Sequence, residues 1–191
     1  MYEDTAMHHP FQSLPKEALG KILITLTLVT LALMIIMNWI SAPLTTAAAP
    51  NGIISYELAG SIEAVRAILA SWVEETKLIA SFSLGLDYLF LVVYSSAIGM
   101  GCIWASGLFS NGLSFLGTMG VLLAWGQWLA ALMDGVENAA LLKLLLGDIH
   151  ASWPQIARIC AIIKFALIAL GLTYVILAGL FKWIKWVRLR A

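Results

Sequence analysis

The chain has 191 residues, of which 61% are hydrophobic and only 12% charged, with zero formal net charge and a mean hydropathy of +0.92. Soluble domains carry about 25% charged residues, so a soluble globular class is excluded and a membrane class is indicated. No basic patch suits a nucleic-acid partner, and three scattered histidines and two cysteines leave no haem or zinc site and no cofactor to expect.

Residues 1–20 read as a polar, disordered cytoplasmic tail, with Pro10 and Pro15 set against a long helix. His8-His9 as a metal-binding pair is the weaker reading of that segment. A first span is expected over 22–40, nineteen residues that nearly cross a ~30 Å core at about 1.5 Å per residue. It exceeds the 7–15 residues of a signal-peptide core, so the span is read as uncleaved despite Ala47-Ala-Ala49.

A loop rich in Ala, Pro, Thr, Asn and Gly follows, and then an amphipathic stretch over 61–77. Ile62, Val65, Leu69, Trp72 and Val73 recur at helical spacing, with Ser61 as N-cap and Glu63 in the first turn. It reads as an interfacial or capping helix, with a lid or partner surface as the alternative. Span 2 is expected over 79–104 and contains Asp87, which shares a face with Ser83, Phe90, Leu91 and Tyr94. The uncharged 106–112 loop, with two glycines, implies a tight antiparallel hairpin to span 3 over 113–141.

Span 3 places Gln127, Asp134 and Asn138 on one stripe with Glu137 beside it. Trp125 and Trp128 lie deep for an aromatic belt and are expected to pack between helices. Pro154 is well placed to open the next helix, and span 4 is expected over 156–181 with Lys164 inside. Cys102 and Cys160 fall near opposite ends of their spans, beyond the roughly 7 Å reach of a disulfide. The basic tail over 182–191 alternates Trp with Lys and Arg, a headgroup-layer composition. The fold expected is therefore all-α: a four-helix transmembrane bundle with an extra amphipathic helix in the first outer loop.

Terminal segments hold Lys16, Lys21, Lys182, Lys185, Arg188 and Arg190, against Arg66, Lys77, Lys143 and Arg158 on the opposite side. The positive-inside rule then places both termini in the cytoplasm of a cell inner (plasma) membrane. Counted from Lys77, Lys143 and Arg158, Asp87 lies about 15 Å deep, Asp134 about 13 Å, and Glu137 and Lys164 about 9 Å each. Three helices thus bring opposite charges to one half of the bilayer. Asp87, Asp134 and Lys164 are expected to meet in the interior, with Glu137, Asn138, Tyr94 and Gln127 completing the hydrogen bonding.

Tyr56-Glu-Leu-Ala-Gly60, Leu86-Asp-Tyr-Leu-Phe90 with Tyr94, and Asp134-Gly-Val-Glu-Asn138 together resemble an uncharacterised group of small four-span bacterial membrane proteins. The resemblance covers about 52–181 and implies the fold, not a catalytic residue. Asp134-Gly135 is also similar to the start of the CDP-alcohol phosphotransferase motif. Ala139-Ala140-Leu141 follows where that motif needs an Ala-Arg pair, and Asp148 is the only later acid, which excludes it.

Charges inside a membrane are expensive and commonly functional. The leading expectation is a module that binds or conducts a proton, cation or small polar ligand, as a homo-oligomer or in a larger membrane complex. The alternative is a structural or accessory subunit whose polar groups only fix helix packing. A lipid-modifying enzyme ranks last, because the sequence shows no nucleophile–base pair or metal-ligand set.

Overall fold

The computed structural model describes residues 8–109 and 114–189. The helices are α1 (Lys16–Ile40), α2 (Ile53–Glu57), α3 (Ile62–Ser71), α4 (Glu74–Ser106), α5 (Ser114–Leu145) and α6 (Ser152–Arg188), with 3-10 turns at Pro10–Ser13 and Ala42–Leu44 and no strand among the described residues. α1, α4, α5 and α6 are each long and apolar enough to cross a membrane. The chain is an all-α, four-helix membrane protein. The expected 106–112 turn runs into residues 110–113, which lie outside the described residues, as do 1–7, Arg190 and Ala191.

Cross-helix contacts fix the topology. Tyr94 meets Asp134 and Asp87 meets Asn138, so α4 and α5 run antiparallel. Asp134 meets Lys164 and Leu116 meets Tyr174, so α5 and α6 do the same. Cys102 reaches the Gly171 carbonyl, which places α6 parallel to α4. Cys102 and Cys160 are both buried, free thiols. α1 packs chiefly on α4, and only 6% of its most apolar window is buried. Three helices therefore enclose the core and the fourth flanks it.

At one end the bundle is capped. Leu44, Tyr56, Val65, Ile68 and Trp72 from the first connection pack on Leu84, Leu141, Leu144 and Ala157 of the long helices. Tyr56 donates its hydroxyl to the Leu141 carbonyl at 3.0 Å, and Trp72 its indole N–H to the Leu44 carbonyl at 3.0 Å. Each bond satisfies a buried polar atom that would otherwise cost about 1–3 kcal/mol. Ser61 caps α3 by accepting the Ala64 N–H at 3.2 Å.

The expected helix over 61–77 is broken. α3 ends at Ser71, Trp72 and Val73 are extended, and α4 begins at Glu74. Burying the Trp72 indole in the cap turns the chain at this point. The four residues 74–77 extend the second span instead.

The tail also departs from expectation. Residues 8–15 fold back on the bundle, and His9 is fully buried against the rings of Phe11, Trp125 and Trp128. Its Nδ1 accepts the Phe11 N–H at 3.2 Å, and Gln12 Oε1 accepts the His9 N–H at 2.7 Å. Trp125 and Trp128 thus pack on each other and on this turn. The first helix begins at Lys16, earlier than the expected 22.

Burial, reinforced by the neighbouring His8, lowers the His9 pKa below its ordinary 6.5. A lowered pKa means that the docked turn holds neutral imidazole. Its contribution to stability is present above 6.5 and is lost as pH falls through the folded-state value. Acidification is expected to loosen the turn and change tryptophan emission from Trp125 and Trp128, while His9→Phe abolishes that response. Unchanged emission in the wild type would refute the coupling.

Candidate functional site

The polar residues gather one layer beneath the cap. On α5, Asp134, Glu137 and Asn138 stand at i, i+3 and i+4, so they project from one face. All three are buried, as are Tyr94 on α4 and Lys164 on α6. Lys164 Nζ lies 2.8 Å from Asp134 Oδ1 and 2.8 Å from Glu137 Oε2. The first contact is also a hydrogen bond. The second is an ion pair by distance, yet Glu137 Oε2 has no hydrogen bond of good direction. Tyr94 donates its hydroxyl to Asp134 Oδ2 at 2.9 Å, so both Asp134 oxygens are paired.

Asp87 joins at one remove. It accepts the Asn138 side-chain amide N–H at 2.6 Å. The expected meeting of three charges is thus a direct Asp134–Lys164 contact, with Asp87 linked through Asn138. Gln127 stands apart. It is seven residues from Asp134, about 10 Å along the helix, and donates to the Leu167 carbonyl at 2.9 Å. It ties α5 to α6 instead of completing the ion network.

A fourth carboxyl enters from the cap. Glu57 Oε2 lies 3.9 Å from Lys164 Nζ, and its side chain is only 12% exposed. The Tyr56–Leu141 bond holds α2 against α5, and Gly60, at φ +70°, turns the chain out again toward α3. That left-handed turn lies against the Arg158 side chain, and a residue with a Cβ is strained in such a backbone. Sequence reasoning assigned Glu57 no role. The available signal was an acid among Ile53, Ile54, Leu58 and Ala59, immediately before a glycine turn.

Desolvation raises the pKa of Glu57, and the nearby Lys164 opposes the rise without cancelling it. Glu57 Oε2 and both Glu137 oxygens lack hydrogen-bond partners. Three carboxyls therefore surround one ammonium and a fourth, Asp87, joins through Asn138; fully ionised, the set would carry three surplus negative charges. Among the described residues no group of three or more His, Cys, Asp or Glu side chains is arranged to hold a metal ion.

Fold and site together define a multi-pass helical membrane protein with an intramembrane carboxyl–lysine cluster. No protein family, curated protein or solved structure matches the chain.

Proposed function

We propose that the cluster of Glu57, Asp87, Asp134, Glu137 and Lys164 takes up and releases protons, and that the protein couples this exchange to the binding or passage of a proton or small cationic ligand. One observation carries the reading: buried acids outnumber the buried base, and carboxyl oxygens in the cluster lack hydrogen bonds. Surplus buried charge costs several kcal/mol per ion, so protons or a cation must neutralise it. An accessory subunit whose polar core only fixes packing is the second reading. The complete pairing of Asp134 favours it.

Infrared difference spectroscopy on the protein in lipid nanodiscs separates the two. The proton-exchange reading expects a carboxyl C=O band that titrates with pH and disappears in Glu137→Gln. It also expects proteoliposomes to dissipate an imposed pH gradient faster than those carrying Asp134→Asn. No titrating band and equal dissipation would leave only the accessory role. Glu57 adds a stability signature. Its raised pKa gives a contribution that is full below 4.5 and falls as pH rises through the folded-state value. Glu57→Gln is expected to flatten that part of the pH–stability curve.

We also infer that both termini are cytoplasmic. Lys182, Lys185 and Arg188 on the exposed last turns of α6 support this, since such residues favour the cytoplasmic side. An Arg188→Cys variant in sealed vesicles of known sidedness is expected to react with an impermeant thiol reagent only from the cytoplasmic face. Reaction from the other face alone would reverse the assignment.

A further inference from the structure

The Glu57 and Glu137 carboxyls face each other as acceptors without a donor. Glu57 Oε2 lies 3.9 Å from Lys164 Nζ, and Glu137 Oε2 lies 2.8 Å from the same nitrogen. The two side chains are within hydrogen-bonding range of one another. Ionised carboxyl oxygens only accept, and Glu57 Oε2 and both Glu137 oxygens receive no hydrogen bond. Glu137 is fully buried, so water does not supply the donor, and the Lys164 hydrogen bond is directed at Asp134. A proton on one carboxyl makes the pair a donor and an acceptor, and removes one of two like charges.

The two acids belong to different parts of the fold. Glu137 stands on α5, within a span, and Glu57 on α2, within the cap. A five-residue helix is marginal in water by itself, so contacts hold α2 in place. The Tyr56 bond to the Leu141 carbonyl is one, and the Gly60 turn against Arg158 is another. Ile54 and Leu58 of the same segment are exposed and add little. The Glu57–Glu137 contact is the third hold on this helix.

Facing the pair are Asp134 on α5, Lys164 and Cys160 on α6, and Tyr94 on α4, with Asp87 beyond Asn138. Arg158 lies over the Gly60 turn and keeps its charge at every working pH. Glu63 and Arg66 on α3 are exposed at the surface. Lys164 is already paired with Asp134 at 2.8 Å, so its single charge does not offset Glu57 and Glu137 once both are ionised.

We propose that Glu57 and Glu137 share one proton that latches α2 over the cluster, and that loss of this proton frees α2 and opens the cluster toward the capped face. The inference rests on the proton-exchange reading and adds its regulation. The O–H bond of one carboxyl breaks, the proton passes to water at the capped face, and two carboxylates then repel across the α2–α5 contact. The latch is closed at low pH and opens as pH rises, the direction in which Glu57 loses its contribution to stability.

The test is hydrogen–deuterium exchange of the full chain in lipid nanodiscs, read over residues 53–60 as a function of pH. Gln carries an N–H donor and no charge, so Glu57→Gln mimics the protonated acid at every pH. The ratio of wild-type to Glu57→Gln exchange at one pH cancels the base catalysis common to both. That ratio should rise by up to about tenfold per pH unit, the limit for release of one proton. Amides over 130–140 on α5 should stay protected in both proteins. Glu63→Gln, which changes an exposed acid on α3, should behave as the wild type. If Glu57→Gln fails to fold, Glu137→Gln creates the same neutral pair and should hold α2 equally. A ratio that stays flat, or loss of protection shared by α5, would overturn the latch. A flat ratio beside a titrating carboxyl band leaves proton exchange standing, whereas a wild type without that band removes both.

Discussion

Replacing Lys164 with Met is expected to destabilise the protein by about 3–5 kcal/mol, the range for removing one partner of a buried ion pair. Met occupies nearly the same volume, so packing changes little. The loss comes from electrostatics: Asp134 and Glu137 each lose a partner at 2.8 Å, and Glu57 loses one at 3.9 Å. Among the described residues, Tyr94 would remain as the one hydrogen-bond donor to Asp134. Denaturant unfolding in mixed micelles measures the effect. Adding Asp134→Asn and Glu137→Gln to Lys164→Met should recover much of the stability, because the acids then carry no charge to neutralise. A Lys164→Met protein as stable as the wild type would show that the lysine is not coupled to these acids.

Gly120→Ala is expected to cost about 1–3 kcal/mol, the usual range for overpacking. A Cβ at position 120 would stand 2.7 Å from Ser106 Cβ and 2.9 Å from the Cys102 carbonyl oxygen. The second contact is backbone, so α4 and α5 must move apart. The same Cβ would press on the Tyr174 hydroxyl, which donates to the Leu116 carbonyl at 2.8 Å. Damage should be confined to the end away from the cap, leaving the infrared signature of the carboxyl cluster intact. Unchanged unfolding in Gly120→Ala would mean that the helices approach less closely at this crossing.

The four spans were legible because nothing competes with lipid for an apolar run of that length. Asp134, Glu137, Asn138 and Lys164 were legible for the complementary reason: an acid, amide or base in such a run stands out, and helical spacing aligns it with its neighbours. Gln127 carried the same signal but found a backbone carbonyl on the adjacent helix instead. Spacing gives a face, not a depth or a partner.

Three features were hidden. Glu57 acts through a five-residue helix whose position depends on Tyr56 reaching α5, a contact without a local pattern. The break after Ser71 was masked because Trp72 and Val73 continue the helical period that their backbones abandon. His9 looked like part of a polar tail because its aromatic partners lie more than a hundred residues downstream.

The placement of Lys164, the one buried Lys or Arg among the described residues, bears on how the protein is made. Synthesis proceeds from the N-terminus, so Glu57, Asp87, Asp134 and Glu137 all leave the ribosome before Lys164, the last acid by 27 residues. Until α6 arrives, Asp87, Asp134 and Glu137 stand in apolar helices without this counter-charge, and a carboxylate near mid-bilayer costs roughly 2.5–3.5 kcal/mol. Pairing of these acids with the Lys164 ammonium is possible only once the final helix is in place.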